Sequence, residues 1–109
     1  KLAGACAGAA KSTIDISVQY ANERKQFGTT ITNFGAIKYK LAEMVIRTFA
    51  NESLTYRASQ NIDDAIEALV ADGMDKGRAM VEGLRQYAIE ASIAKVFGTE
   101  ALDYVVDEG

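Results

Sequence analysis

The sequence predicts an all-α fold, an antiparallel up-down bundle of three long helices and one short one. Three observations carry this. None of the 109 residues is proline, so nothing in the chain forbids long uninterrupted helices. Apolar and small residues recur at steps of three and four, the spacing of one helix face. Nowhere do apolar and polar residues alternate with the period of two that a half-buried strand requires, and there is no internal repeat. At 49% hydrophobic residues, the chain can bury a packed core at this size.

The first helix is predicted from Leu2 to the corner near Gly28. Its stripe is 2, 6, 9, 13, 16 and 20. Residues 3–10 are nearly all Ala and Gly, with Gly4 and Gly8 one turn apart. A helical glycine costs about 1 kcal/mol against alanine, and close approach of a neighbouring backbone offsets that. Gly28 reads as a C-terminal glycine, and Thr30 or Thr32 as the next N-cap. The second helix carries Ile31, Phe34, Ile37, Leu41, Met44, Val45, Thr48 and Phe49 on one broad side and is predicted to reach about Asn61. A shorter helix follows, opened by Asp63 and Asp64, charges favoured at a helix N-terminus, and closed by "ADGMDKG". The last helix is predicted from about Arg78, with its stripe at 80, 84, 87, 91, 94, 98, 101 and 105.

Both ends look cut. Lys1 is not Met, and "DYVVDEG" still reads as helix up to its glycine. The chain is therefore expected to be an internal piece, with the fourth long helix of a bundle beyond Gly109. That predicts an apolar groove along Leu41, Phe49, Leu84 and Val105.

Composition excludes several functions. A net charge of −3 and a pI near 4.9 argue against a general nucleic-acid or membrane-surface binder, which needs a basic stripe. The run "LAGACAGAA" is too short and too rich in alanine to be a transmembrane segment. With one cysteine and no histidine, there is no internal disulfide and no Cys/His metal site. Cys6 reads as a small core residue. A reducing compartment fits.

The corner "YANERKQFGTTI" is chemically richer than a helix junction needs. Arg24 offers a planar fork of donors suited to phosphate. Gln26 adds an amide, Thr29 and Thr30 add hydroxyls, and Phe27 can cover a flat ligand. Yet Glu23, Arg24 and Lys25 are also what a solvated helix end looks like, since the helix dipole favours cations at a C-terminus. The residues alone leave both readings open.

The stretch "YANERKQFGTTITNFGAIKYKLAEM" resembles the signature that opens the C-terminal helical domain of acyl-CoA dehydrogenases, Y-A-x-x-R-x-Q-F-G-x-x-I and then K-L-A-x-M. "EASIAKVFGTEALDYVVDEG" is similar to the family's later A-x-x-A-K signature, which leads to a Q-x-x-G-G-x-G segment. "LAGACAGAAKSTIDISVQYA" also fits. The resemblance covers the chain except 62–79, which is longer than in many relatives. Phe34-Gly35 is more like the very-long-chain branch than the short- or medium-chain ones.

The resemblance implies that residues 1–109 are part of a C-terminal four-helix-bundle domain. It implies a flavoenzyme that oxidises fatty acyl-CoA to trans-2-enoyl-CoA in β-oxidation. A glutamate takes the α proton, the β hydride goes to FAD, and the electrons leave to an electron-transferring flavoprotein. It further implies a homo-oligomer with FAD near the subunit interface, in the cytoplasm if bacterial or the mitochondrial matrix if eukaryotic. Arg24 matches the arginine that reaches the FAD pyrophosphate, commonly that of the neighbouring subunit. Gln26 and Phe27 match adjacent cofactor contacts, and Phe34 packs nearby. Gly35 stands where glutamine often touches FAD and offers only backbone. The catalytic glutamate falls outside the chain, so Glu90, Glu100, Asp103 and Glu108 read as helix surface or helix pairing. The alternative is a non-enzymatic helical-bundle interaction module. The dozen residues after Gly109 discriminate: glutamine, a glycine pair and a nearby glutamate mark the enzyme.

Overall fold

A computed structural model describes residues 1–109. Helix α1 is Leu2–Glu23, β1 Lys25–Gln26, β2 Thr29–Thr30, followed by a 3₁₀ turn at Ile31–Asn33. Helix α2 is Gly35–Ala71, α3 Lys76–Gln86 and α4 Ala88–Glu108. Helices α1, α2 and α4 pack on one another, whereas α3 packs on the far half of α2. The result is a rod 68 Å long and 18 by 15 Å across. The all-α prediction holds, with a two-residue antiparallel ladder at the corner as the only strand pairing.

Three long helices and one short one are present, but the short one is elsewhere. Helix α2 does not stop at Asn61; it runs 37 residues to Ala71, leaving Asp63 and Asp64 exposed within it. They are not a cap. The helix ends at Gly73, whose φ is +93°. The Gly73 N–H donates to the Val70 carbonyl and the Met74 N–H to that of Leu69, both at 3.0 Å. This pair of bonds is the Schellman arrangement, which satisfies the last carbonyls and needs a left-handed residue. The true cap is Asp75, whose Oδ2 accepts from the N–H groups of Gly77 and Arg78 at 3.1 and 3.3 Å. The predicted single helix from Arg78 is interrupted at Tyr87 (φ −111°, ψ 27°). No proline or glycine marks the break, and nothing in the structure explains it.

The core is built from small residues. Helix α1 buries Ala3, Cys6, Ala7, Ala10, Ser17 and Ala21; of the predicted stripe only Cys6 is buried, and Leu2, Ile16 and Tyr20 are exposed. The predicted stripe follows side-chain size, but the close-packed side of a helix is the one whose small side chains admit a neighbour. On α4 the predicted Ala94, Gly98, Ala101 and Val105 are buried, while on α3 the buried pair is Ala79 and Gly83, one position before the predicted Met80 and Leu84. At Gly83 an added Cβ would lie 2.6 Å from Ile66 Cγ1. The largest fully buried side chains, Met44, Val105 and Asn51, lie where the three long helices meet. Leu41 and Ile14 pack on the cluster of Ala10, Met44 and Val105. The predicted apolar groove is therefore not one surface: Val105 is core, Leu41 lies against it, and Phe49 and Leu84 face outward.

Ion pairs tie the outside together. Lys11 of α1 bonds Glu52 of α2, and Lys40 of α2 bonds Glu108 of α4. Arg47 lies 4.1 Å from the Tyr104 ring centroid, a cation–π contact between α2 and α4. No helix is long and apolar enough to cross a membrane.

Candidate cofactor-binding corner

The backbone leaves α1 at Arg24, whose N–H still donates to the Tyr20 carbonyl at 2.8 Å while its own φ and ψ are extended. Lys25 then pairs with Thr30 and Gln26 with Thr29. Phe27 and Gly28 form the tip, with φ of +52° and +83°. Positive φ at both central residues is the signature of the type I′ hairpin, whose twist matches that of its strands. Gly28 is thus a hairpin glycine, not the helix C-terminal glycine that the sequence predicts. Phenylalanine is an unfavourable residue in this conformation because its Cβ crowds the backbone. An Ile31 N–H to Arg24 carbonyl bond of 2.9 Å closes the corner.

Side chains brace it. Asn33 Nδ2 donates to the Thr29 and Thr30 hydroxyls at 2.6 and 3.2 Å. The Thr30 and Thr32 hydroxyls bond each other at 3.0 Å, so neither caps α2. The residue preceding α2 is Phe34, which makes no capping bond, and the first turn holds no acidic residue. The backbone N–H groups of Gly35 and Ala36 consequently have no backbone partner. Free N–H groups at a helix N-terminus favour an anion. The sequence reading missed these donors, although the absence of Ser, Thr, Asp or Asn at position 34 signals them.

All five sequence-predicted site residues sit at this corner. Arg24, Gln26, Phe27 and Gly35 are exposed and Phe34 is half-buried. Phe27 is 93% exposed and meets Phe34 edge to face, with centroids 6.2 Å apart. Arg24 belongs to none of the ion pairs. A Cβ on Gly35 would meet nothing within 4 Å, so packing within this chain does not require glycine there. The exposed side chains of Arg24 and Gln26 are free to donate to a ligand held by another surface. Glu90, Glu100 and Asp103 are exposed, and Glu108 is engaged with Lys40; no group of three or more metal-ligating side chains exists.

The fold, the small-residue seams and this corner define one class of protein. The family model described as "Acyl-CoA dehydrogenase, C-terminal domain" matches residues 1–109. A probable acyl-CoA dehydrogenase of Bacillus subtilis (strain 168) is 42% identical over 109 residues, covering 100% of this chain and 18% of that protein. The mitochondrial very long-chain specific acyl-CoA dehydrogenase of Homo sapiens is 37% identical over 107 residues, covering 98% of this chain and 14% of its own length. The crystal structure of an acyl-CoA dehydrogenase complexed with FAD from Bacillus anthracis superimposes with a TM-score of 0.91 at 42% identity, covering 98% of this chain and 18% of that one. The chain belongs to the acyl-CoA dehydrogenase family, as its C-terminal helical domain. It spans less than a fifth of the length of these relatives.

Proposed function

We propose that this chain is part of an FAD-dependent acyl-CoA dehydrogenase that converts fatty acyl-CoA to trans-2-enoyl-CoA in β-oxidation and passes electrons to an electron-transferring flavoprotein. The observation that carries the reading is the corner itself. An unpaired guanidinium, two free helix N-terminal amides and an outward-facing aromatic suit a dinucleotide: phosphate for the donors, a flat ring for Phe27. Bound FAD would supply the hydride acceptor. Arg24 would hold the pyrophosphate, with Gln26, Phe27, Phe34 and the Gly35 backbone beside it. Because Arg24, Gln26 and Phe27 face solvent, the corner would contribute to a site completed by another subunit of a homo-oligomer. The parent enzyme would work in the bacterial cytoplasm or the mitochondrial matrix.

The test uses the full-length parent. Purified protein should show a flavin spectrum and reduce an electron-accepting dye with a long-chain acyl-CoA, giving the 2-enoyl thioester. A colourless parent without this activity would favour a helical interaction module. The 109-residue chain alone, which carries only this part of the site, should turn over no acyl-CoA.

A further inference from the structure

Asn33 stands one residue before Phe34, the residue flanking α2, and is of a type that caps helices. Its side chain makes no capping bond. It turns back onto the hairpin, where Nδ2 donates to the Thr29 hydroxyl at 2.6 Å and to the Thr30 hydroxyl at 3.2 Å. The Thr30 hydroxyl in turn bonds that of Thr32 at 3.0 Å. The hydroxyls of this corner are thus engaged with the 3₁₀ turn.

The two threonines are ladder partners of the hairpin's other strand. Thr29 pairs with Gln26 and Thr30 with Lys25, and Phe27 lies at the tip between the strands. Ile31, which opens the 3₁₀ turn, donates its N–H to the Arg24 carbonyl at 2.9 Å. That turn packs on both α1 and α2. Asn33 therefore ties the hairpin to a turn that is itself anchored on two helices.

The hairpin needs such a tie. A two-stranded hairpin is marginally stable on its own, and this one has two residues in each strand. Phe27, at φ +52°, holds a conformation that its Cβ disfavours. A loose hairpin would have to be ordered by the cofactor as it binds, and such ordering subtracts from affinity.

We propose that Asn33 is a positioning residue of the cofactor corner. Acting through the Thr29 and Thr30 hydroxyls, it holds the hairpin so that Arg24, Gln26 and Phe27 meet FAD already ordered. This rests on the FAD reading given above.

FAD titration of the full-length apoprotein tests it. Asn33→Ala and Thr29→Val should each weaken FAD binding about three- to tenfold, the worth of one hydrogen bond. Because both remove the same bond, the double variant should be no weaker than the worse single one. Thr29→Ser, which keeps the hydroxyl, should bind as the wild type does. Valine is favoured in strands, so a merely structural role for Thr29 predicts no loss in Thr29→Val. That variant reads the bond from its other end if Asn33→Ala does not accumulate. Additive losses, or a loss that Thr29→Ser shares in full, would overturn the proposal. Wild-type affinity in Asn33→Ala beside a weakened Arg24→Ala would overturn it and leave the FAD reading standing. A parent that binds no FAD, or an Arg24→Ala variant that binds it normally, would remove the FAD reading and the proposal together.

Discussion

The Asn51 side-chain Oδ1 lies 2.9 Å from the position that a Cβ on Gly98 would occupy. Asn51 is 1% exposed, and its Nδ2 donates to the Ala3 carbonyl at 3.3 Å. That oxygen has no hydrogen-bond partner. One polar side chain thus sits at the point where α1, α2 and α4 cross, held there by an alanine and a glycine.

Overpacking at this crossing should be measurable. Gly98→Ala would push on Asn51 and on the Ala3 backbone, costing about 1–3 kcal/mol. Asn51→Ala removes the opposing oxygen, so the double variant should recover part of the loss, with a coupling of at least about 0.5 kcal/mol. Chemical denaturation of the four proteins gives the cycle. Strict additivity would show that the two residues do not press on each other.

Arg24→Ala should weaken FAD retention by the parent about ten- to a hundredfold, the loss of one charge-assisted hydrogen bond of about 1.5–3 kcal/mol. The helical fold should be untouched, since Arg24 is exposed and forms no ion pair within the chain. Arg24→Lys should recover only part, because an ammonium has no fork. Titration of the apoprotein with FAD measures both. Wild-type affinity in Arg24→Ala would make the corner merely a turn.

Phe27→Asn separates strain from binding. Asparagine tolerates the left-handed conformation, which relieves about 1–2 kcal/mol. Losing the contact with Phe34 costs about 0.5–1.5 kcal/mol beyond area burial. The two nearly cancel, so thermal stability should change by less than about 1 kcal/mol while FAD affinity falls. A large destabilisation with unchanged affinity would make Phe27 a structural anchor.

The pH dependence has two limbs. Arg85 donates to Glu82 at 2.7 and 2.8 Å, and this bonding holds the Glu82 carboxyl below its ordinary 4.5. The carboxyl's contribution is present above that value and is lost as pH falls through the lower folded one. Hydrogen bonds to Glu52 and Glu108 raise Lys11 and Lys40 above 10.5. Their contribution is present below 10.5 and is lost as pH rises through the higher folded values. Urea midpoints across pH 3–6 should therefore fall less steeply in Glu82→Gln than in the wild type. Because the pair is exposed, about 1 M salt should shrink the difference. Identical acid limbs in the two proteins would show that the pair contributes nothing.

Helical periodicity and the freedom from proline were readable along the chain because each depends on local spacing, whereas the cofactor roles of residues 24, 26, 27, 34 and 35 rest on the family resemblance and are proposals. On α2 the predicted Met44 and Thr48 are buried, but Val45 and Phe49 are exposed and Asn51 and Ala58 complete the core instead. The core of α4 from Ala94 on was readable too. Where α2 stops was not. A Schellman turn at Gly73 and a cap at Asp75 look, in one dimension, much like Asp63-Asp64 and the glycines around them. Which face of α1 is buried depended on neighbours: the sequence suggests the side with Leu2, Ile16 and Tyr20, but the close approach of α2 and α4 selects the alanines. The crossing at Asn51 exists only once distant segments meet, whereas the hairpin at Phe27 and the free amides of Gly35 and Ala36 are local features that the apolar periodicity does not register. A linear pattern specifies which residues prefer burial or turns; only packing decides which of several compatible faces and caps is used.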